Sequence, residues 1–328
     1  MKAIMVDSFG GPENLVFRDT SIPDCEPDSA LVKIKYAGVN YMDVYMRNGA
    51  YAKSHTYKTP LPMVIGMEGA GEVVKVGANV SNVKVGDQVA YCLSRGSYAE
   101  YAAVPAWRLV KVPNTIEIAQ AASAMLQGLT AHYLTHSIFP LKMGDICLIH
   151  AGSGGVGQLA IQMAKIIGAI VITTVGSPEK AKLAVANGAD HIILYKEVDF
   201  RDEVMKITNG RGVDVVYDSV GKDTIERSIT SIRRRGMCVM FGASSGQVPC
   251  ITPLSLAEAG SIYFTRPHLA DYIPTAEDIN GRAEMIFKYI AQGKLRVPIH
   301  KIFKIHEGKE AHLMLESRGT MGKLLLEI

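Results

Sequence analysis

The chain has little of what small secreted or metal-clasped proteins rely on. Among 328 residues there are 5 cysteines, 1 tryptophan and 8 phenylalanines. The cysteines (Cys25, Cys92, Cys147, Cys238 and Cys250) are odd in number and widely scattered. No two stand at C-x₂₋₄-C spacing, which argues against a structural zinc site, and an odd set does not read as a disulfide framework. A reducing compartment is the expectation, with Cys147 in the run ICLIH serving as a small core hydrophobe. No apolar stretch nears the ~18 residues of a membrane span. The start, MKAIMVDSFGGPE, carries Asp7 and lacks an apolar core followed by a small-residue cleavage site. It reads as a first strand rather than a signal peptide, and the expected location is cytoplasmic. An excess of one charge is also missing: the balance is +3, and the densest basic run is Arg233-Arg234-Arg235. That run reads as a solvated helix end before a strand, so nucleic acid is not an expected partner.

What is present is the composition of an ordinary globular protein, 48% hydrophobic and 20% charged, long enough for about two domains of ~150 residues. The first ~120 residues are β-rich by alternation of apolar and polar positions, as in LVKIKYAGV, GEVVKVGANV and DQVAYC. They suggest a small barrel in which Gly77 and Gly86 make tight turns. After about Ile116 the texture changes. Glu117–Thr135 has helical spacing, and short apolar strands then alternate with helices. The strands are Asp145–His150, Ala169–Val175, His191–Leu194, Val213–Tyr217, Gly236–Phe241 and Ser261–Thr265. The helices are Gly155–Ile167, Pro178–Ala186, Asp199–Ile207 and Asp223–Ile232. Such βα alternation predicts an α/β chain with a doubly wound parallel sheet of about six strands. The tail (helix Asn280–Gln292, strand Lys301–Ile305, helix Lys309–Glu316, strand Lys323–Ile328) breaks this rhythm and is expected to return to the N-terminal barrel.

Gly152-x-Gly154-x-x-Gly157 follows the strand DICLIHA and opens a helix. In that context the glycines allow a tight turn, close approach of backbone to a pyrophosphate, and close packing of helix on strand. The helix N-terminus offers free N–H groups and partial positive charge to the phosphates. An NAD site places an acid at the end of the second strand to bind the ribose 2′-hydroxyl. Here Val175-Gly176-Ser177 offers none, and Lys180 stands one turn into the next helix while Glu179 is expected to point elsewhere. A 2′-phosphate is attracted by Ser177 and Lys180 and would be repelled by a carboxylate. The expected cofactor is NADPH.

The chain resembles the zeta-crystallin-like quinone oxidoreductases, the zinc-free branch of the medium-chain dehydrogenase/reductase superfamily, nearly end to end. The resemblance rests on Gly38-Val-Asn40-Tyr-Met-Asp43-Val-Tyr45-Met-Arg47-Asn-Gly49, Gly66-Met-Glu68-Gly-Ala-Gly71, Gly128-Leu-Thr130, His150-Ala-Gly-Ser-Gly-Gly-Val-Gly157, Tyr217-Asp-Ser-Val-Gly221, Phe241-Gly-Ala-Ser-Ser-Gly246 and Glu316-Ser-Arg318. It implies a GroES-like β-barrel catalytic domain from residues 1–121 and 267–328, and a Rossmann domain from 122–266. It also implies a homodimer joined through the Rossmann edge strand near Ser261–Arg266. Related zinc alcohol dehydrogenases carry a ligand Cys where this chain has Asn40 and a ligand His where it has Met67. Neither replacement suits zinc, so no metal is expected, and Glu68 reads as a buried structural acid. By resemblance, Asn40, Tyr45 and Thr130 line the nicotinamide end, and Gly154, Gly155, Val156 and Gly157 hold the pyrophosphate. Gly176, Lys180 and Tyr195 make the 2′-phosphate pocket, Phe241 and Ser244 the wall beside the nicotinamide ribose and ring, and Arg318 a phosphate contact. Gln127 departs from the Lys that several relatives carry before Gly-Leu-Thr.

Quinones accept hydride without a Lewis acid because the product anion is delocalised and gains aromaticity, so positioning of NADPH against a flat acceptor suffices. Tyr45 and Tyr51 are the candidate catalytic donors to the acceptor oxygen, with water as the other proton source. The alternative enzyme is an NADPH-dependent reductase of enals and enones. The alternative of another class is a non-catalytic NADPH-binding protein with a structural or RNA-binding role.

Overall fold

The computed structural model describes residues 1–328 and divides into two compact units, Met1–Leu129 with Ile273–Ile328, and Thr130–Tyr272. Along the first unit run β1 (Lys2–Val6), β2 (Val16–Asp19), β3 (Ser29–Val39), α1 (Tyr41–Arg47), β4 (Met63–Val64), β5 (Glu68–Val76), β6 (Gln88–Cys92), β7 (Tyr101–Pro105) and β8 (Val110–Lys111). Helix α2 (Ile118–Tyr133) carries the chain into the second unit. There follow β9 (Ile146–Ile149), α3 (Gly155–Ile167), β10 (Ile170–Val175), α4 (Pro178–Ala186), β11 (His191–Leu194), α5 (Phe200–Ile207), β12 (Val213–Asp218), α6 (Ile225–Thr230), β13 (Ile232–Met240), α7 (Pro253–Glu258) and β14 (Tyr263–Thr265). The chain then returns to the first unit with α8 (Ala276–Ala291), β15 (Ile299–Lys304), α9 (Gly308–Glu316) and β16 (Lys323–Glu327).

In the first unit a three-stranded sheet, β2-β1-β4, accompanies a seven-stranded one, β15-β16-β3-β5-β6-β8 with β7 also on β3. The tail closes this sheet: β16 lies antiparallel to β3, Leu324 opposite Val39 and Glu327 opposite Tyr36. A continuous apolar run explains the placement, since Leu324, Leu325 and Leu326 are all buried and the strand is covered on both faces. Of the two barrel glycines, Gly86 has φ +89 and is a turn glycine as expected. Gly77 instead serves close approach, because a side chain there would collide with the carbonyl oxygens of Glu26 and Pro27.

The second unit is a parallel sheet in the order β11-β10-β9-β12-β13-β14. The order reverses between β9 and β12, which is the topological switch point of a doubly wound sheet. Apolar strand runs fill its core, with Leu148, Ile172, Val216 and Cys238 packed by Phe200, Val204 and Ile225. β14 ends the sheet with Tyr263 exposed.

Arg233–Arg235 is not a helix end. All three lie within β13, where the pairing with β12 jumps from Val213–Ile232 to Val215–Met237. Arg233 Nε reaches Asp214 Oδ1 at 2.5 Å and Arg235 takes φ +57. The buried Asp214 also accepts from Arg211 and from Ile146 N. The run is therefore an irregular strand held by a carboxylate, a pairing that local periodicity does not reveal.

Candidate functional site

The candidate site residues fall in two groups, one in each unit. In the second unit the turn after β9 passes through Ala151 at φ +54 and enters α3 with Gly154 as its N-cap. A side chain on Gly152 would run into Thr173 Oγ1, and one on Gly157 into the carbonyl oxygen of Ala151. No side chain caps α3, so the N–H groups of Gly155, Val156 and Gly157 at its first turn remain open to a ligand. A helix start of this kind binds anions. Beneath the loop, His150 is wholly buried and uses both ring nitrogens. Nδ1 lies 2.8 Å from Thr174 Oγ1 and Nε2 lies 3.0 Å from Ser228 Oγ. Ser228 in turn donates to Asp218, whose other oxygen accepts from Val220 N and Gly221 N. Burial lowers the His150 pKa, opposed by Asp218, so the imidazole is a neutral strut spanning the switch point under the glycine turn.

Beside this turn, a side chain on Gly176 would stand 2.9 Å from the Tyr195 hydroxyl. Ser177 is the N-cap of α4, its hydroxyl accepting from Lys180 N at 3.4 Å. Burial and then the neighbouring Lys196 lower the Lys180 pKa. Glu179 is the second residue of α4. Its carboxylate is held below its ordinary pKa by its own backbone N–H and then by Ser177, because the second position of a helix welcomes an acid. Phe241 N bonds Asp218 O and Ser244 N bonds Ser219 O, folding that loop onto the end of β12. Thr130 is buried in α2.

In the first unit, Tyr45 and Tyr51 do come together, their rings edge-on with centroids 5.5 Å apart. Tyr57, which the sequence did not single out, continues the row 5.2 Å from Tyr51, and Tyr41 extends it at 6.1 Å from Tyr45. Arg318 follows α9 at φ +60, its charge opposing the burial that raises the Tyr41 pKa. Asn40 is 3% exposed and its amide is committed. Its Nδ2 donates to Glu68 Oε2 and Gly38 O, and its Oδ1 accepts from Lys323 Nζ at 2.7 Å. Lys323 Nζ also meets Glu68 Oε2 at 2.5 Å, and Glu68 Oε1 accepts from Leu126 N. Glu68 is thus the buried structural acid that was expected, and Lys323 is its partner.

A second chain of contacts leads on from Asn40. Its N–H donates to Asp43 Oδ2, which also accepts from Tyr98, and the Tyr98 hydroxyl meets His312 Nε2 at 3.2 Å. His312 Nδ1 lies 3.0 Å from Arg47, which forms a two-pronged pair with Glu316. Burial pushes Asp43 up to about 7. Burial, then the Arg47 charge, pulls His312 down to about 3. Sequence reading missed Lys323, Tyr98 and His312 because each lies at a separate point of the chain, with no motif joining them.

Residues 26–114 match the alcohol dehydrogenase GroES-like domain, and residues 155–275 the zinc-binding dehydrogenase family. A quinone oxidoreductase of Pseudomonas aeruginosa is 40% identical over 326 residues, 99% of each chain. The crystal structure of Escherichia coli quinone oxidoreductase complexed with NADPH superposes over 100% of each chain, with a TM-score of 0.96 and 38% identity. A 2-haloacrylate reductase from a Burkholderia species is 36% identical, covering 99% of this chain and 98% of its own.

The zinc in one family's description does not fit these residues. Asn40 and Glu68 already satisfy one another and Lys323, an ammonium repels a divalent ion, and no three His, Cys, Asp or Glu side chains gather as ligands. The glycine turn, by contrast, fits a dinucleotide, since Gly152 and Gly157 pack the turn tightly against Thr173 and Ala151 and no side chain caps the helix start that follows. With a GroES-like N-terminal domain, a doubly wound nucleotide-binding fold and full-length likeness at 40% identity, the chain belongs to the quinone oxidoreductase family of the medium-chain dehydrogenase/reductases.

Proposed function

We propose that this protein is a metal-independent NADPH:quinone oxidoreductase. The observation that carries the reading is the open glycine turn before α3, in a chain alike end to end to a quinone oxidoreductase solved with NADPH. When bound, NADPH supplies a hydride to the acceptor. Gly155, Val156 and Gly157 hold the pyrophosphate through backbone N–H groups, and Gly154, whose own N–H bonds Ala151 O, lets it approach as the side-chain-free N-cap. Gly176, Ser177, Lys180 and Tyr195 receive the 2′-phosphate. Ser177 and Tyr195 contribute hydroxyls, and Lys180 with Lys196 contributes charge. Phe241, Ser244 and Thr130 serve the nicotinamide end, and Arg318 a phosphate. Asn40 serves by fixing the start of α1, as its amide is already engaged. Tyr45 and Tyr51 offer an aromatic wall to a flat acceptor and a hydroxyl to its oxygen. A hydride and one proton convert the quinone to the hydroquinone.

The test is steady-state NADPH oxidation with 1,4-benzoquinone, an enone and 2-chloroacrylate. Turnover of the quinone with NADPH ahead of NADH is expected; no quinone turnover would overturn the reading. A second reading, reduction of a conjugated C=C bond, is favoured by the likeness to a 2-haloacrylate reductase, and the same panel separates the two. For assembly we read a homodimer through the edge strand β14, supported by its terminal place in the sheet and its exposed Tyr263. A cytoplasmic location is supported by five free cysteines. No helix is long and apolar enough to cross a membrane.

A further inference from the structure

The pair Lys323–Glu68 is fully buried, with side chains 1% and 0% exposed. Buried pairs of this kind cost about as much in desolvation as they return in attraction, and neutral residues of like size are often as stable. Stability alone therefore does not account for it. What the pair does is orient something. Lys323 opens β16, and because Leu324 stands opposite Val39, the lysine is brought to Asn40 just beyond the paired end of β3. Three hydrogen bonds close a ring: Lys323 to Glu68, Lys323 to Asn40, and Asn40 to Glu68. The ring fixes which way the Asn40 amide faces, since Oδ1 must meet the ammonium and Nδ2 the carboxylate. It also needs Gly38, where a side chain would collide with Glu68 and stand 2.9 Å from Lys323 Cε.

Asn40 is the hinge between β3 and α1. Its backbone N–H and the Asp43 carboxylate lock the first turn of that helix. From α1 hangs the row of Tyr41, Tyr45, Tyr51 and Tyr57. We propose that Lys323 is a positioning residue for hydride transfer, acting through Asn40 to hold α1 and its tyrosines in register with the acceptor. The inference rests on the quinone-reductase reading given above. Hydride transfer depends steeply on geometry, and a misplacement of about 1 Å can cost about 100-fold in rate.

The experiment compares wild type with Lys323→Met and with the double variant Lys323→Met/Glu68→Gln, which leaves no charge stranded. Melting temperature, NADPH KM, kcat with 1,4-benzoquinone, and amide hydrogen exchange over residues 40–57 are measured. The double variant is expected to fold with a melting temperature close to wild type and an NADPH KM within about twofold. Its kcat should fall about 10- to 100-fold, and exchange over 40–57 should quicken. A double variant with wild-type kcat and exchange would overturn the proposal, since the pair would then only neutralise itself. A double variant that fails to fold would overturn it too, by making the pair a stability element. Should wild type itself fail to turn over quinone, the functional reading falls, and faster or unchanged exchange still decides for or against the positioning role.

Discussion

Gly157 packs so tightly against the carbonyl oxygen of Ala151 that no side chain fits between them. The obstacle is backbone and not a movable side chain, so Gly157→Ala must push α3 away from the end of β9. The N–H groups at the helix start would move with it. NADPH affinity should fall at least about tenfold, or ~1.4 kcal/mol, as read by titration of NADPH fluorescence; an unchanged Kd would refute the cradle.

Lys180 is proposed to receive the 2′-phosphate, and burial and then the neighbouring Lys196 lower its pKa. Wild type should bind NADPH more tightly than NADH. Lys180→Ala should remove ~1.5–3 kcal/mol of that preference while leaving NADH binding unchanged. Equal wild-type affinities for the two would sink the assignment.

Asp43 and His312, both fully buried, pull the pH dependence of stability in opposite directions. The Asp43 pKa is raised to about 7 from 3.8, so its contribution is present below about pH 4 and is lost as pH rises through about 7. The His312 pKa is lowered to about 3 from 6.5, so its contribution is present above about pH 6.5 and is lost as pH falls toward 3. Asp43→Asn should therefore gain melting temperature relative to wild type between pH 5 and pH 8. His312→Gln should instead flatten the acid limb. One kcal/mol corresponds to about 1–2 °C for a chain of this length. Thermal melts across pH 4–9 that shift in parallel for all three proteins would contradict both assignments.

Met67 and Asn40 are poor zinc ligands, and Lys323 places a positive charge beside Glu68. Purified protein should contain well under one zinc per chain by elemental analysis and keep its quinone turnover in EDTA. Stoichiometric zinc, or activity lost in chelator and restored by zinc, would count against the metal-independent mechanism.

Tyr263 is 62% exposed on the terminal strand of the parallel sheet. An open apolar edge invites pairing with a second copy. Wild type should run as a dimer in scattering-coupled gel filtration at micromolar concentration, and Tyr263→Lys should weaken it toward monomer. A monomeric wild type would end the dimer reading.

Much of the second unit was legible in the chain because its structure is local. Helices α3 and α4 and strand β11 occupy the residues that apolar spacing and capping predicted, with Ser177 as N-cap and Gly168 ending α3 at φ +94. The glycine turn could be read because its function lies in what its residues lack. Local pattern failed where a long-range partner decided the outcome. Arg233–Arg235 became strand because Asp214, on the neighbouring strand, takes Arg233.

The sequence by itself determined the βα rhythm, the dinucleotide turn, the absence of zinc ligands at positions 40 and 67, and the burial of Glu68. These follow from spacing and from the chemistry of single residues. Only the tertiary structure decided who answers Glu68. Lys323 stands 255 residues away, in a segment whose pattern KLLLE announces a strand without saying that its lysine is buried. The same holds for Tyr98 and His312, which meet across 214 residues. A buried charge is tolerable only where partners converge on it, and convergence is set by strand register and packing, which no local stretch of sequence contains.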